Sequence, residues 1–122
     1  MSEKKILVID DEELVRKSVQ AALKRAGYQV TLAKNAAEAL EKTQKDRFDL
    51  IISDIRMPGK NGVEAIREIR RLFDQSGIGD VPIIFITGYA SMSDELNAEE
   101  LGEVVLKPFD LEELLIRMRE YL

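Results

Sequence analysis

Four acidic side chains stand in a row at Asp10-Asp11-Glu12-Glu13, directly after the apolar run Ile6-Leu7-Val8-Ile9. Acidic residues favour a helix N-terminus, which accounts for one or two of them. Four beside a buried run repel one another and call for a counter-charge. A bound cation is one such counter-charge, and oxygen donors without nitrogen or sulfur suit Mg²⁺ or Mn²⁺. A further carboxylate, Asp54, closes the run Leu50-Ile51-Ile52-Ser53, where it either caps a turn or joins the first group. Thr87-Gly88 and Lys107-Pro108-Phe109 end two more apolar runs. Each has an ordinary structural role, Thr and Gly as turn formers and a terminal Lys as a solvated charge. Taken together they supply a carboxylate nucleophile, an acidic metal-binding group, a hydroxyl and a cation. Those are the parts that phosphoryl transfer requires, and three carboxylates balance one divalent ion plus one Lys.

Composition narrows the chemistry to these groups. The 122 residues contain no His and no Cys, which excludes imidazole bases, thiol chemistry, disulfides and ordinary zinc or iron sites. With 18 Lys+Arg against 23 Asp+Glu, the net charge of -5 argues against direct nucleic-acid binding. No apolar run approaches the roughly 20 residues that span a bilayer, and the N-terminus lacks the features of a signal peptide. The expectation is a cytoplasmic protein of one domain over residues 1–122, without a membrane partner.

The elements that must position these residues alternate along the chain. Short β-branched runs at Ile6–Ile9, Tyr28–Ala33, Leu50–Ile52, Pro82–Ile86 and Val104–Leu106 read as parallel strands, the second as an edge strand from its alternation. Between them lie amphipathic helices. Val15, Val19, Ala22, Leu23 and Ala26 form the first stripe, closed by Gly27. Asn35 with Glu38 opens a second helix, and Val63, Ile66, Ile69, Leu72 and Phe73 form a third. Ser91 to Leu101 predicts a weak fourth helix. Asp110 with Glu113 predicts a capping box for a fifth, whose stripe is Leu111, Leu114, Leu115, Met118 and Leu122. Five strand–helix units give an α/β fold with a parallel sheet, and ligands of such sheets bind outside the carboxyl ends of the strands. Pro108 fixes the chain after Lys107 and would aim that amine inward; the Lys107-Pro108 bond is open to cis, although trans is the commoner form of any one X-Pro bond.

The joint order of Ile6-Leu7-Val8-Ile9-Asp10-Asp11-Glu12, Asp54-Ile55-Arg56-Met57-Pro58-Gly59 with Asn61-Gly62, Thr87-Gly88-Tyr89 and Lys107-Pro108-Phe109 resembles the receiver domain of two-component response regulators over essentially the whole chain. The resemblance implies a flavodoxin-like (βα)5 doubly wound sheet with strand order 2-1-3-4-5. It implies Asp54 as phospho-acceptor, with Asp11 and Asp54 as direct Mg²⁺ ligands. Asp10 would act partly through water, and the backbone carbonyl of Arg56 would be a further ligand. Thr87 and Lys107 would hold the phosphoryl oxygens. The donor would be a phosphohistidine on a histidine kinase or histidine phosphotransfer protein, or acetyl phosphate. The chain would be a phospho-acceptor signalling domain rather than an enzyme with its own substrate, a monomer or a phosphorylation-linked dimer, with no output domain after the fifth helix.

Two departures qualify this. The family often carries an aromatic three residues before the Lys, where this chain has Val104, and the segment Gly102–Lys107 is about two residues short. That puts the usual Thr–aromatic switch in doubt and points to a hybrid-kinase context, where a similar short segment is common. Arg56 and Tyr89 are bulky at positions that tune hydrolysis in the family, which implies a long-lived phosphorylated state. The competing readings are a flavodoxin-like cofactor binder, which would need a Gly- and hydroxyl-rich phosphate loop where Asp10-Asp11-Glu12-Glu13 stands, and an Asp-nucleophile phosphatase, which would want an acid at Arg56. A degenerate receiver that only docks partners is the third.

Overall fold

The computed structural model describes residues 3–88 and 90–122. Strands β1 (Lys5–Ile9), β2 (Gln29–Ala33), β3 (Leu50–Asp54), β4 (Ile83–Thr87) and β5 (Glu103–Leu106) form one sheet in the order β2-β1-β3-β4-β5. Every pairing is parallel. Helices α1 (Glu13–Arg25), α2 (Ala36–Lys45), α3 (Gly62–Ser76), α4 (Ala90–Glu95) and α5 (Leu111–Arg119) connect and follow the strands. This is the flavodoxin-like doubly wound arrangement expected of the alternating sequence.

The strand period of two divides the core into two layers. Leu7, Ile9, Ile51, Ile83 and Phe85 face α2 and α3 and bury Ala39, Ile66, Ile69 and Phe73. Ile6, Val8, Ile52, Ile84 and Ile86 face the other way, onto Val19 and Leu23 of α1 and Leu114 and Met118 of α5. All residues of β3 and β4 are buried, whereas β2 lies at an edge and is mostly half-exposed. Among the described residues no helix is long and apolar enough to cross a membrane.

Local chemistry explains most helix ends. Gly27 takes φ +97° after α1, a left-handed turn open to glycine at little cost, and lets Tyr28 N–H return to the Leu23 carbonyl. Asn35 accepts from Glu38 N–H as expected, but the Glu38 carboxylate takes the Lys34 N–H rather than that of Asn35. A full capping box stands instead at Asn61 and Glu64, at the start of α3. At α5 the expected box is not formed: Asp110 accepts from Glu112 N–H, one residue earlier than Glu113.

One further expectation is corrected. The fourth helix stops at Glu95; Asn97 takes a left-handed backbone (φ 56°), and a 3₁₀ turn over Ala98–Glu100 completes the segment. The polar stretch offers too narrow an apolar stripe to hold one continuous helix, and Asn tolerates the left-handed region better than most residues. The Lys107-Pro108 bond, open to either isomer in the sequence, is cis.

Candidate functional site

The parallel ladder delivers each predicted residue to one edge. Asp10 follows β1 directly, and its N–H extends the ladder to the Ala33 carbonyl. Asp54 and Thr87 are the last residues of β3 and β4. Lys107 follows β5, its N–H bonded to the Thr87 carbonyl at 2.7 Å. Register therefore places the backbones, and the turns that follow aim the side chains.

Carboxylate oxygens of Asp10, Asp11, Glu12 and Asp54 all lie within 4.8 Å of one another. The ammonium of Lys107 stands 3.2 Å from Asp54 Oδ2, 3.5 Å from Asp10 Oδ2 and 4.0 Å from Glu12 Oε1. Of the four consecutive acids only Glu13 turns away, to pair with Lys17 on the α1 surface at 3.0 Å. Glu12 is the member that the sequence reading had not assigned to the site; its place in the unbroken acidic run was the available signal.

Asp10 is wholly buried. Its Oδ1 accepts the Glu12 N–H at 2.9 Å, while Oδ2 has no hydrogen-bond partner among the described residues and stands 3.5 Å from the Lys107 ammonium. Burial pushes its pKa up to about 6, against the bond from Glu12 N–H, and the charges of Asp54 and Asp11 add to the rise. Burial likewise raises Asp54, although Lys107 and the Ile55 N–H on Oδ1 (2.7 Å) oppose it. For Lys107, burial pulls the pKa down, but Asp54, Asp10 and Glu12 together outweigh it and leave it raised. The ammonium stays charged at neutral pH.

A cavity of about 440 Å³, lined by Asp11, Glu12, Asp54, Arg56, Gly88 and Lys107, opens above these groups. Thr87 is fully buried at the end of β4, and Arg56 is exposed at the rim. Tyr89, expected to flank the site, lies outside the described residues.

Residues with no chemistry of their own hold the acids in place. Arg16 of α1 donates to the Asp10 carbonyl at 2.7 Å. Ser53 Oγ donates to the Asp54 carbonyl at 2.9 Å. Gly62 presses against that same carbonyl, since a Cβ there would stand 1.9 Å from the oxygen, and its N–H bonds the Ile55 carbonyl at 2.7 Å. Gly62 is thus required by close approach, not by a turn.

The donor set suits a hard divalent cation: oxygen only, an excess of negative charge over Lys107, and a buried carboxylate oxygen without a hydrogen bond among the described residues.

Comparison with known proteins agrees with this geometry. Response regulator MprA of Mycobacterium ulcerans is 40% identical over 120 residues, covering 97% of this chain and 50% of that protein. The chain spans about half the length of the curated relatives it matches. The solved structure of response regulator TrrA from Thermotoga maritima, in complex with Mg²⁺ and BeF, superposes with a TM-score of 0.85 at 36% identity, covering 98% of this chain and 99% of that one. Chemotaxis response regulator CheY4 of Vibrio cholerae gives a TM-score of 0.84 at 35% identity, covering 99% and 100%. The family description "Response regulator receiver domain" matches residues 6–119, and the chain belongs to that family, the receiver domains of two-component signal transduction.

Proposed function

We propose that this chain accepts a phosphoryl group on Asp54 in a Mg²⁺-dependent reaction and signals through the resulting change of surface. The observation that carries this reading is the convergence of four carboxylates around the orphaned Asp10 Oδ2, with Lys107 3.2 Å from Asp54. Mg²⁺ would be held by Asp11 and Asp54, by Asp10 partly through water and by the Arg56 carbonyl, and when bound it would neutralise charge on the transferring group. In TrrA, Mg²⁺ and a beryllium fluoride are bound together, which supports the same ligand class here.

The chain's own residues divide the remaining work. A carboxylate oxygen of Asp54 attacks phosphorus as the N–P bond of a donor phosphohistidine breaks. The departing imidazole nitrogen keeps the electron pair, and Asp54 becomes an acyl phosphate. Lys107 meets the developing negative charge on the phosphoryl oxygens, and the Thr87 hydroxyl donates to one of them. Ile55 N–H on Oδ1 and the packing of Gly62 on the Asp54 carbonyl hold the nucleophile still. Donors of this chemistry are histidine kinases and histidine phosphotransfer proteins, with acetyl phosphate as a small substitute. The intact Asp10, Asp11, Asp54, Thr87 and Lys107 speak against a module that only docks.

Intact mass after incubation with acetyl phosphate tests the reading. One phosphoryl group per chain is expected with Mg²⁺ present, and none with EDTA or in Asp54→Asn. Absence of any adduct in the wild type, with a phosphohistidine donor also failing, would contradict it.

A further inference from the structure

Three asparagines occur in the chain, and Asn61 alone is followed by glycine; Asn35 and Asn97 both precede alanine. An Asn-Gly pair is prone to deamidation, because no Cβ shields the glycine nitrogen from the asparagine side chain. That nitrogen, once it loses its proton, attacks the side-chain carbonyl carbon. The carboxamide C–N bond breaks and ammonia leaves with the proton, closing a succinimide ring across residues 61 and 62. Water then opens the ring at either carbonyl, its hydroxyl going to carbon and its hydrogen to nitrogen. The products are aspartate and isoaspartate, and no oxidant or reductant takes part.

In the fold both reacting groups are engaged. Asn61 Oδ1 accepts the Glu64 N–H at 2.9 Å, and the Asn61 N–H is held by the Glu64 carboxylate at 3.2 Å. The Gly62 N–H donates to the Ile55 carbonyl at 2.7 Å. Gly62 is buried, and a Cβ on it would stand 1.9 Å from the Asp54 carbonyl oxygen and 2.9 Å from Ser53 Oγ. Ring closure has to swing the carboxamide off the first turn of α3 and draw the Gly62 nitrogen away from the Ile55 carbonyl in one event. Neither group moves without unseating the start of the helix.

The same packing keeps the pair labile. Residue 62 has to be glycine for the seat, so no side chain can shield its nitrogen. Pro58, Gly59 and Lys60 are exposed and Asn61 is half-exposed, so base and water reach the pair once the seat opens. Asn97 is the converse case: exposed, with no capping bond from its side chain, but followed by Ala98.

We propose that Asn61-Gly62 is a modification site, closed in the folded chain by the seat of Gly62 against the Asp54 carbonyl, at which deamidation proceeds through openings of the first turn of α3. The two products differ in consequence. Aspartate at 61 still accepts the Glu64 N–H and adds negative charge at a helix N-terminus, so the seat re-forms. Isoaspartate carries the main chain through Cβ and is one carbon longer, so the helix cap and the seat of Gly62 no longer fit together. Conversion at this one residue loosens the acid edge, whatever reaction that edge performs.

Peptide mapping by mass spectrometry, after ageing the whole chain at mildly alkaline pH in native buffer and in urea, tests it. In urea, conversion at Asn61 is expected to outpace that at Asn35 and Asn97 by about tenfold or more. In native buffer, conversion at Asn61 is expected to slow by about thirtyfold or more. Rates at Asn61 within about threefold of each other in the two buffers overturn the proposal, as does conversion in urea no faster than at Asn35. The isoaspartate chain, separated and refolded, is expected to exchange the Gly62 and Val63 amide hydrogens about tenfold faster than the wild type, and Asn61→Asp within about twofold of it. Equal protection of Gly62 in the isoaspartate chain and the wild type also overturns the proposal, because the seat would then not depend on the backbone at residue 61.

Discussion

At the ends of β1 and β3, carboxylates project from strands that are buried almost throughout, and each acid is tied down by backbone N–H groups or by neighbours such as Ser53, Arg16 and Gly62. Next to them, β4 gives way to a six-residue helix, a left-handed break at Asn97 and an edge strand of four residues, of which only Val105 is buried. The first region is rigid because charge has to be held where it is least comfortable. The second is thin and is fastened by a few polar contacts to α3. A fixed cluster of acids and a thinly held segment are thus placed side by side on one sheet edge.

Substitutions can break that contrast. The largest effect is expected at Gly62→Ala, whose Cβ would meet the Asp54 carbonyl oxygen at 1.9 Å inside a fully packed layer. A loss of about 3 kcal/mol or more in denaturant unfolding is expected, together with impaired acceptance at Asp54. A loss under about 1 kcal/mol would mean the acid end yields as easily as the α4 side.

The next effect has the opposite sign. Asp10 has a folded pKa raised to about 6 from an ordinary 3.8, so the folded state holds its proton more tightly than the unfolded chain does. Its contribution favours folding below about pH 4, and that advantage is lost as the pH rises through about 6. In metal-free protein at pH 7, Asp10→Asn is therefore expected to stabilise by roughly 1–3 kcal/mol. Urea melts at pH 4 and pH 7 with EDTA check it: the gain should be small at pH 4. A destabilised variant at pH 7 would show that Lys107 already compensates the acids in full.

The smallest effect is expected at Gly102→Ala. Its Cβ would approach the Ile83 carbonyl at 2.2 Å, but Gly102 lies where the chain joins an edge strand that has room to shift. A loss of about 1–2 kcal/mol is expected, smaller than that at Gly62. Equal losses at the two glycines would erase the difference between the regions.

The sequence was legible where one physical demand dominated. Buried β-branched runs and a single parallel register put Asp10, Asp11, Asp54, Thr87 and Lys107 at one edge, and the motif spacing alone identified the family. It was less legible where several weak terms competed. The break at Asn97 turns on a narrow apolar stripe and on helix propensities that differ by tenths of a kcal/mol, so a continuous helix to Leu101 was the natural expectation. Asp110 had both Glu112 N–H and Glu113 N–H within reach, and only the backbone geometry selects between them. Glu12 and Glu13 are identical in type and adjacent in sequence; the turn of α1 sends one to Lys107 and the other to Lys17. Gly62 entered the sequence pattern only through the Asn61-Gly62 motif, and the packing that requires it is visible only in the fold.

The most direct measurement is a calorimetric Mg²⁺ titration at pH 7 of the wild type beside Asp11→Asn and Glu13→Gln. One ion per chain is expected, with affinity lowered about tenfold or more in Asp11→Asn and unchanged within about twofold in Glu13→Gln, whose carboxylate faces Lys17. No uptake by the wild type at millimolar Mg²⁺, or an equal weakening in both variants, would contradict a cation site built from the converging acids.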